Sequence, residues 1–179
     1  MQLVIISGPP NAGKSAAAEA LCQRYDRMLH IDVAVLRDFL RMGRLRPWDD
    51  SPDGRRQHEL LIASACDMAR RFLDAGYGVI IDDIVMADDL PDYREQLAGV
   101  EQPVHFVVLL PPLATLLERE AHRPTEWHRA GRLEAVYERF TKWRDVCVID
   151  PAALAPDLVA DRIMAAAAEG RARLSNAPA

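Results

Sequence analysis

Residues 8–15 read Gly8-Pro9-Pro10-Asn11-Ala12-Gly13-Lys14-Ser15, the spacing G-x-x-x-x-G-K-S. No other stretch constrains this chain so tightly, because each residue type meets a demand of a loop wrapped around phosphate oxygens. Gly8 and Gly13 allow backbone turns that aim N–H groups inward. Lys14 brings a point charge to the terminal phosphates, and the Ser15 hydroxyl brings a hard oxygen to Mg²⁺. Residues 3–6 before the loop form a short apolar run of the kind found in buried parallel strands. Residues 14–25 after it are alanine-rich and predict a helix whose N-terminus faces the phosphates. The candidate cradle is therefore residues 8–16, from Gly8 to Ala16. The chain holds 20 arginines and only two lysines, Lys14 and Lys142, so a lysine at this place departs from its general usage.

The rest of the chain alternates short apolar runs with helical stretches. Strands are expected at residues 28–31, 79–81, 104–110 and 146–149, besides the first. Helices are expected at 33–42, 55–75, 88–97, 113–121, 131–143 and 155–173, with an irregular stretch at 43–54. Strands separated by helices imply an α/β fold with a parallel sheet covered on both faces. Ligands in such sheets bind beyond the carboxyl ends of the strands. That rule selects Asp32, the pair Asp82-Asp83, Pro111-Pro112 and Asp150 as neighbours of the phosphate loop.

Asp32 follows the second strand. It reads both as a helix N-cap and as a base for an attacking hydroxyl, and the two readings are compatible. Asp82 and Asp83 end an apolar strand, and one of them is expected to support Mg²⁺. Alternation along a strand allows only one to face the metal, and Asp82 is preferred. Arg119 and Arg123, four residues apart, lead into a polar segment at 123–130. This pattern fits a lid at about residues 119–131 whose arginines neutralise a migrating phosphoryl group. Arg37 and Arg41 belong to an arginine-rich stretch at 37–56 and are candidates for acceptor binding. Trp48 and Trp127 are candidates to stack on an aromatic acceptor. The five histidines are scattered and receive no role.

A chain of 179 residues with half its residues apolar is expected to form one globular domain, residues 1–174, with a loose tail at 175–179. A net charge of −5 argues against non-specific nucleic-acid binding. Cys22, Cys66 and Cys147 are widely spaced and form no zinc pattern. No leader or membrane span is expected, which points to the cytoplasm.

With these residues in place the chain resembles the small P-loop kinases. Residues Ile5 to Ser15, Asp32 and Gly78-Val79-Ile80-Ile81-Asp82-Asp83-Ile84 resemble the chloramphenicol phosphotransferase and zeta-toxin branch. Leu117 to Arg123 and Arg132 to Phe140 are similar to the lid and following helix of polynucleotide kinases. The resemblance implies the P-loop NTPase three-layer fold, with a five-stranded parallel sheet in the order 2-3-1-4-5. It implies ATP and Mg²⁺ as cofactors, with adenine near Arg119 and Pro151, and Asp32 as the base for the acceptor hydroxyl. The function expected is transfer of the γ-phosphate of ATP to a hydroxyl of a small molecule, such as an antibiotic, nucleoside or sugar. The alternatives are a polynucleotide 5′-hydroxyl kinase and a regulatory ATPase module that has no acceptor.

Overall fold

The structure, a computed structural model, describes residues 2–122 and 131–174. Arg123, Trp127 and the polar segment 123–130 lie outside the described residues, as does the tail 175–179. The five strands are β1 (Leu3–Ser7), β2 (Met28–Asp32), β3 (Gly78–Asp82), β4 (Val104–Leu109) and β5 (Cys147–Ile149). All pair in parallel, in the order β2-β3-β1-β4-β5 expected from the resemblance. The helices are α1 (Lys14–Cys22), α2 (Val33–Asp38), α3 (Pro52–Asp74), α4 (Leu90–Gln96), α5 (Leu113–Ala121), α6 (Arg132–Phe140) and α7 (Pro156–Ala168).

The central strands β1, β3 and β4 are buried along their whole length, because helices cover both faces of the sheet. Alternate residues feed two cores. Leu3, Ile5, Val79, Ile81, Phe106 and Val108 pack with α3 and α4 on one face. Val4, Ile6, Ile80, Val107 and Leu109 pack with α1, α5 and α7 on the other. The carboxyl ends of β1, β2 and β3 therefore lie at one edge, where the loop and the acidic residues meet.

Several boundaries differ from expectation for local reasons. Helix α2 stops at Asp38 rather than residue 42. Phe39 and Leu40 donate to Leu36 and Arg37 three residues back, which tightens the last turn. Helix α3 begins at Pro52 because the Ser51 hydroxyl accepts from Gly54 N–H at 3.1 Å and proline suits the first turn. Helix α7 ends five residues early. Gly170 takes a φ of +76°, and the chain then turns back so that Phe106 N–H donates to Ala172 O and Leu174 N–H to Val104 O. The cysteines are unpaired thiols, and burial pushes the Cys66 thiol up to about 12, leaving it an inert packing residue. No described helix is long and apolar enough to cross a membrane.

Ile81 is fully buried in the middle of the sheet. Ile81→Ala should lower stability by about 2–5 kcal/mol, read as a reduced urea midpoint with an unchanged slope.

Candidate active site

The loop between β1 and α1 has the backbone its glycines foretell. Gly8 has φ +149° and Gly13 φ +93°, while Asn11 holds the left-handed region at +67°. A Cβ on Gly8 would lie 2.3 Å from Leu109 O, so the first glycine is required by the close approach of β4 as well as by its own torsion. Gly13 caps α1 without a side-chain bond, which leaves the first N–H groups of the nine-residue helix for an anion. Lys14 Nζ donates to Pro9 O at 3.2 Å, which folds the lysine over the loop.

At the end of β3 the two acids part. Asp82 has the parity of Ile80 and leaves on the α1 face, where its Oδ2 accepts from the Ser15 hydroxyl at 2.6 Å. His30 Nε2 lies 3.8 Å from the same oxygen. Burial raises the Asp82 pKa, but the nearby His30 ring, the Lys14 charge and the Ser15 hydroxyl outweigh it, so the carboxyl sits below its ordinary range. Asp83 has the parity of Ile81 and joins the α3–α4 side. Its Oδ1 accepts from Ile84 N–H at 2.7 Å and its Oδ2 from the Tyr93 hydroxyl at 2.9 Å. The metal candidates thus separate: Ser15 and Asp82 stand together, and Asp83 is engaged elsewhere. No group of three His, Cys, Asp or Glu side chains able to hold a metal occurs among the described residues. One hydroxyl and one carboxylate suit Mg²⁺, which takes few protein oxygens and completes its shell with phosphate and water.

Asp32 ends β2 beside Asp82, its register partner. Its Oδ1 caps α2, accepting from Ala34 N–H at 2.8 Å and Val35 N–H at 3.3 Å. Its Oδ2 has no hydrogen-bond partner among the described residues. Asp32 lines a cleft of about 790 Å³ together with residues 10–16, so the cap and the phosphate loop share one cavity. Arg119 also lines it, and donates to Asn11 O at 3.0 Å. The far end is apolar, with Pro151, Leu154, Pro156 and Val159. Arg41 is exposed and is not among the residues lining the cleft.

Two features had no counterpart in the sequence reading. The first is a buried polar cluster behind the α2 wall of the cleft. Arg37 NH2 lies 2.9 Å from His58 Nδ1, and His58 Nε2 lies 3.5 Å from Asp89 and 3.9 Å from Asp83. Burial lowers the His58 pKa, but Asp83 and Asp89 more than offset this and hold it above its usual value. The second is a stack of the Arg132 guanidinium over the Trp48 ring, 4.8 Å from its centroid, with Arg132 also 3.7 Å from Glu120.

A family model described as AAA domain matches residues 3–148. The chain belongs to that AAA-domain family. Its fold is the P-loop NTPase fold, as the strand order shows. The tunicamycin resistance protein of Deinococcus radiodurans superposes with a TM-score of 0.68 at 22% identity, covering 97% of this chain and 98% of that one. The APS kinase of Mycobacterium tuberculosis gives 0.69 at 20% identity, over 94% and 97% of the two chains. The shikimate kinase of Acinetobacter baumannii gives 0.63 at 18%, over 95% and 94%. At these identities the likeness establishes the shared fold. No curated protein matched the chain.

For this AAA-domain chain the sequence signals differ in strength. Trp48 was visible as a candidate for stacking, though on a ligand rather than on Arg132. His58 carried no signal, since its role depends on α3 lying beside α2. Gly8→Ala should weaken nucleotide binding at least tenfold in calorimetry, because the added methyl group must displace either the loop or β4. Unchanged affinity would show that the Gly8 approach is not needed for binding.

Proposed function

We propose that this chain transfers the γ-phosphate of ATP to a hydroxyl group of a small molecule. The observation that carries this reading is the shared cleft. Asp32 and the phosphate loop open onto one cavity, and one oxygen of the Asp32 carboxylate stays clear of the helix cap. A regulatory ATPase needs the loop but gains nothing from a carboxylate placed there.

In this reading residues 8–16 hold the phosphates through backbone N–H groups, with Lys14 neutralising charge on the terminal ones. Ser15 and Asp82 would hold Mg²⁺, which supplies charge neutralisation and orientation of the phosphate oxygens. Asp32 Oδ2 accepts the proton of the acceptor hydroxyl as its oxygen forms a bond to the γ-phosphorus. The bond from that phosphorus to the bridging oxygen breaks in line, and ADP leaves. Arg119, from the end of α5, lies beside the loop and offsets charge on the transferred group. Adenine would rest against Pro151 and Leu154 at the apolar end. ATP as donor fits a cytoplasmic site of action.

The names of the similar structures favour a small acceptor, since shikimate and APS are small molecules. Of the six arginines of residues 37–56, Arg41 and Arg56 are exposed, but three others are engaged or buried, which counts against a broad basic face for a polynucleotide. Arg37 is buried, Arg44 pairs with Asp38, and Arg55 lies 3.5 Å from Glu59.

Lys14→Ala should abolish ATP binding in calorimetry, and equal binding by this variant would sink the assignment. Asp32→Asn should bind ATP as the native protein does but transfer labelled phosphate about 10²–10⁴-fold more slowly. The acceptor would come from a panel of phenicols, aminoglycosides, nucleosides, sugars and hydroxy acids.

A further inference from the structure

Helix α2 forms the cleft wall below Asp32, and Arg37 sits in its last turn. At 1.5 Å per residue, the two positions are about 7.5 Å apart along the helix. Arg37 is only 6% exposed, yet it lines the cleft. A buried guanidinium ordinarily has a carboxylate in contact, because an uncompensated charge is costly to desolvate. Arg37 has no carboxylate within 4.0 Å among the described residues. Its contacts are Leu45 O, which accepts from NH1 at 3.4 Å, and His58 Nδ1, 2.9 Å from NH2.

The contact with Arg37 fixes the chemistry of the histidine. A guanidinium only donates, so Nδ1 must accept and the ring proton must lie on Nε2. That nitrogen faces Asp89 at 3.5 Å and Asp83 at 3.9 Å. Asp83 in turn accepts from Tyr93. Asp83 and Asp89, whose charges favour the charged guanidinium, are thus separated from Arg37 by the imidazole. The remaining guanidinium donors have no partner among the described residues. Arg44 and Arg46 line the same part of the cleft, and Arg44 pairs with Asp38.

We propose that Arg37 anchors an anionic group on the acceptor, a phosphate or carboxylate carried on a compact molecule about one sugar ring away from the reacting hydroxyl. This rests on the transfer reading and names the class of acceptor. The imidazole holds the guanidinium in place without neutralising it by contact, so the charge is left for the ligand. The planar fork can meet two oxygens of the anion at once.

The test fills the phosphate loop first, so that added anions cannot bind there. Protein saturated with Mg²⁺ and AMPPNP is titrated calorimetrically at pH 8 with inorganic phosphate and, separately, with lactate. A second anion site is expected. Its affinity should fall at least tenfold in Arg37→Gln and less in Arg37→Lys, with AMPPNP affinity unchanged in both. Tighter binding of phosphate assigns a phosphorylated acceptor, and tighter binding of lactate assigns a hydroxy acid. Should neither variant fold, the ¹⁵N resonances of the His58 ring in the native protein replace them, and they should move on titration. Absence of a second site, equal binding by folded variants, or unmoved His58 resonances would overturn the proposal and leave Arg37 as a brace between α2 and α3. Failure to bind AMPPNP at all would instead overturn the transfer reading.

Discussion

Successive side chains on a strand leave on opposite faces, and at the end of β3 that rule acts on two adjacent acids. Asp82 is sent to the α1 face, where the Ser15 hydroxyl meets it at 2.6 Å. Asp83 is sent to the α3–α4 face, where Tyr93 and His58 surround it. A one-residue slip of β3 against β1 would exchange the two roles. The register is held by buried apolar residues on both faces, so the slip would bring the wrong set to each core. The position of the carboxylate beside Ser15 is thus a consequence of core packing several residues away.

The same alternation accounts for the polar cluster behind the α2 wall of the cleft. Once Asp83 lies on the α3–α4 side, it needs donors in a region otherwise apolar. Tyr93 is fully buried and supplies one, and the pKa of its hydroxyl is driven well up by burial and by Asp83. His58 stands next to it and passes the influence of the acids on to Arg37. A buried polar cluster of this kind is stable only when its members are present together. The chain keeps it although an apolar filling would be simpler to stabilise, in line with a use for the arginine at the cleft.

The phosphate loop and the joint placement of Lys14, Ser15, Asp32 and Asp82 were legible in the sequence, and the strand order followed from the resemblance to small P-loop kinases. Their positions depend on local patterns: a spaced glycine motif, short apolar runs, and acids directly after strands. That Asp82 and Asp83 take opposite faces was legible as a rule, and the two cores set which face each takes. The short α2 was not legible, because Phe39 and Met42 continue a helical pattern yet are left 71% and 89% exposed, with no core to reward more turns. His58 was invisible because its partners, Arg37, Asp83 and Asp89, come from other elements of the chain. Arg37 was picked out by its nearness to Asp32, but its burial depends on α3 and the loop carrying Leu45.

Trp48 comes from the chain between α2 and α3, and Arg132 from the first turn of α6. Arg139, two turns further along α6, lies 3.4 Å from Asp50 and 3.9 Å from Asp88. The rim of the cleft is therefore a seam between three stretches far apart in sequence, closed by a ring, a cation and ion pairs rather than by a shared core. Such a seam is weak piece by piece, since exposed pairs contribute little. It is also adaptable. The residues that shape the acceptor end can drift in evolution without touching the sheet or the phosphate loop, provided that Trp48 keeps a cation to lie against. A scaffold of this design can change its clientele while leaving its chemistry in place.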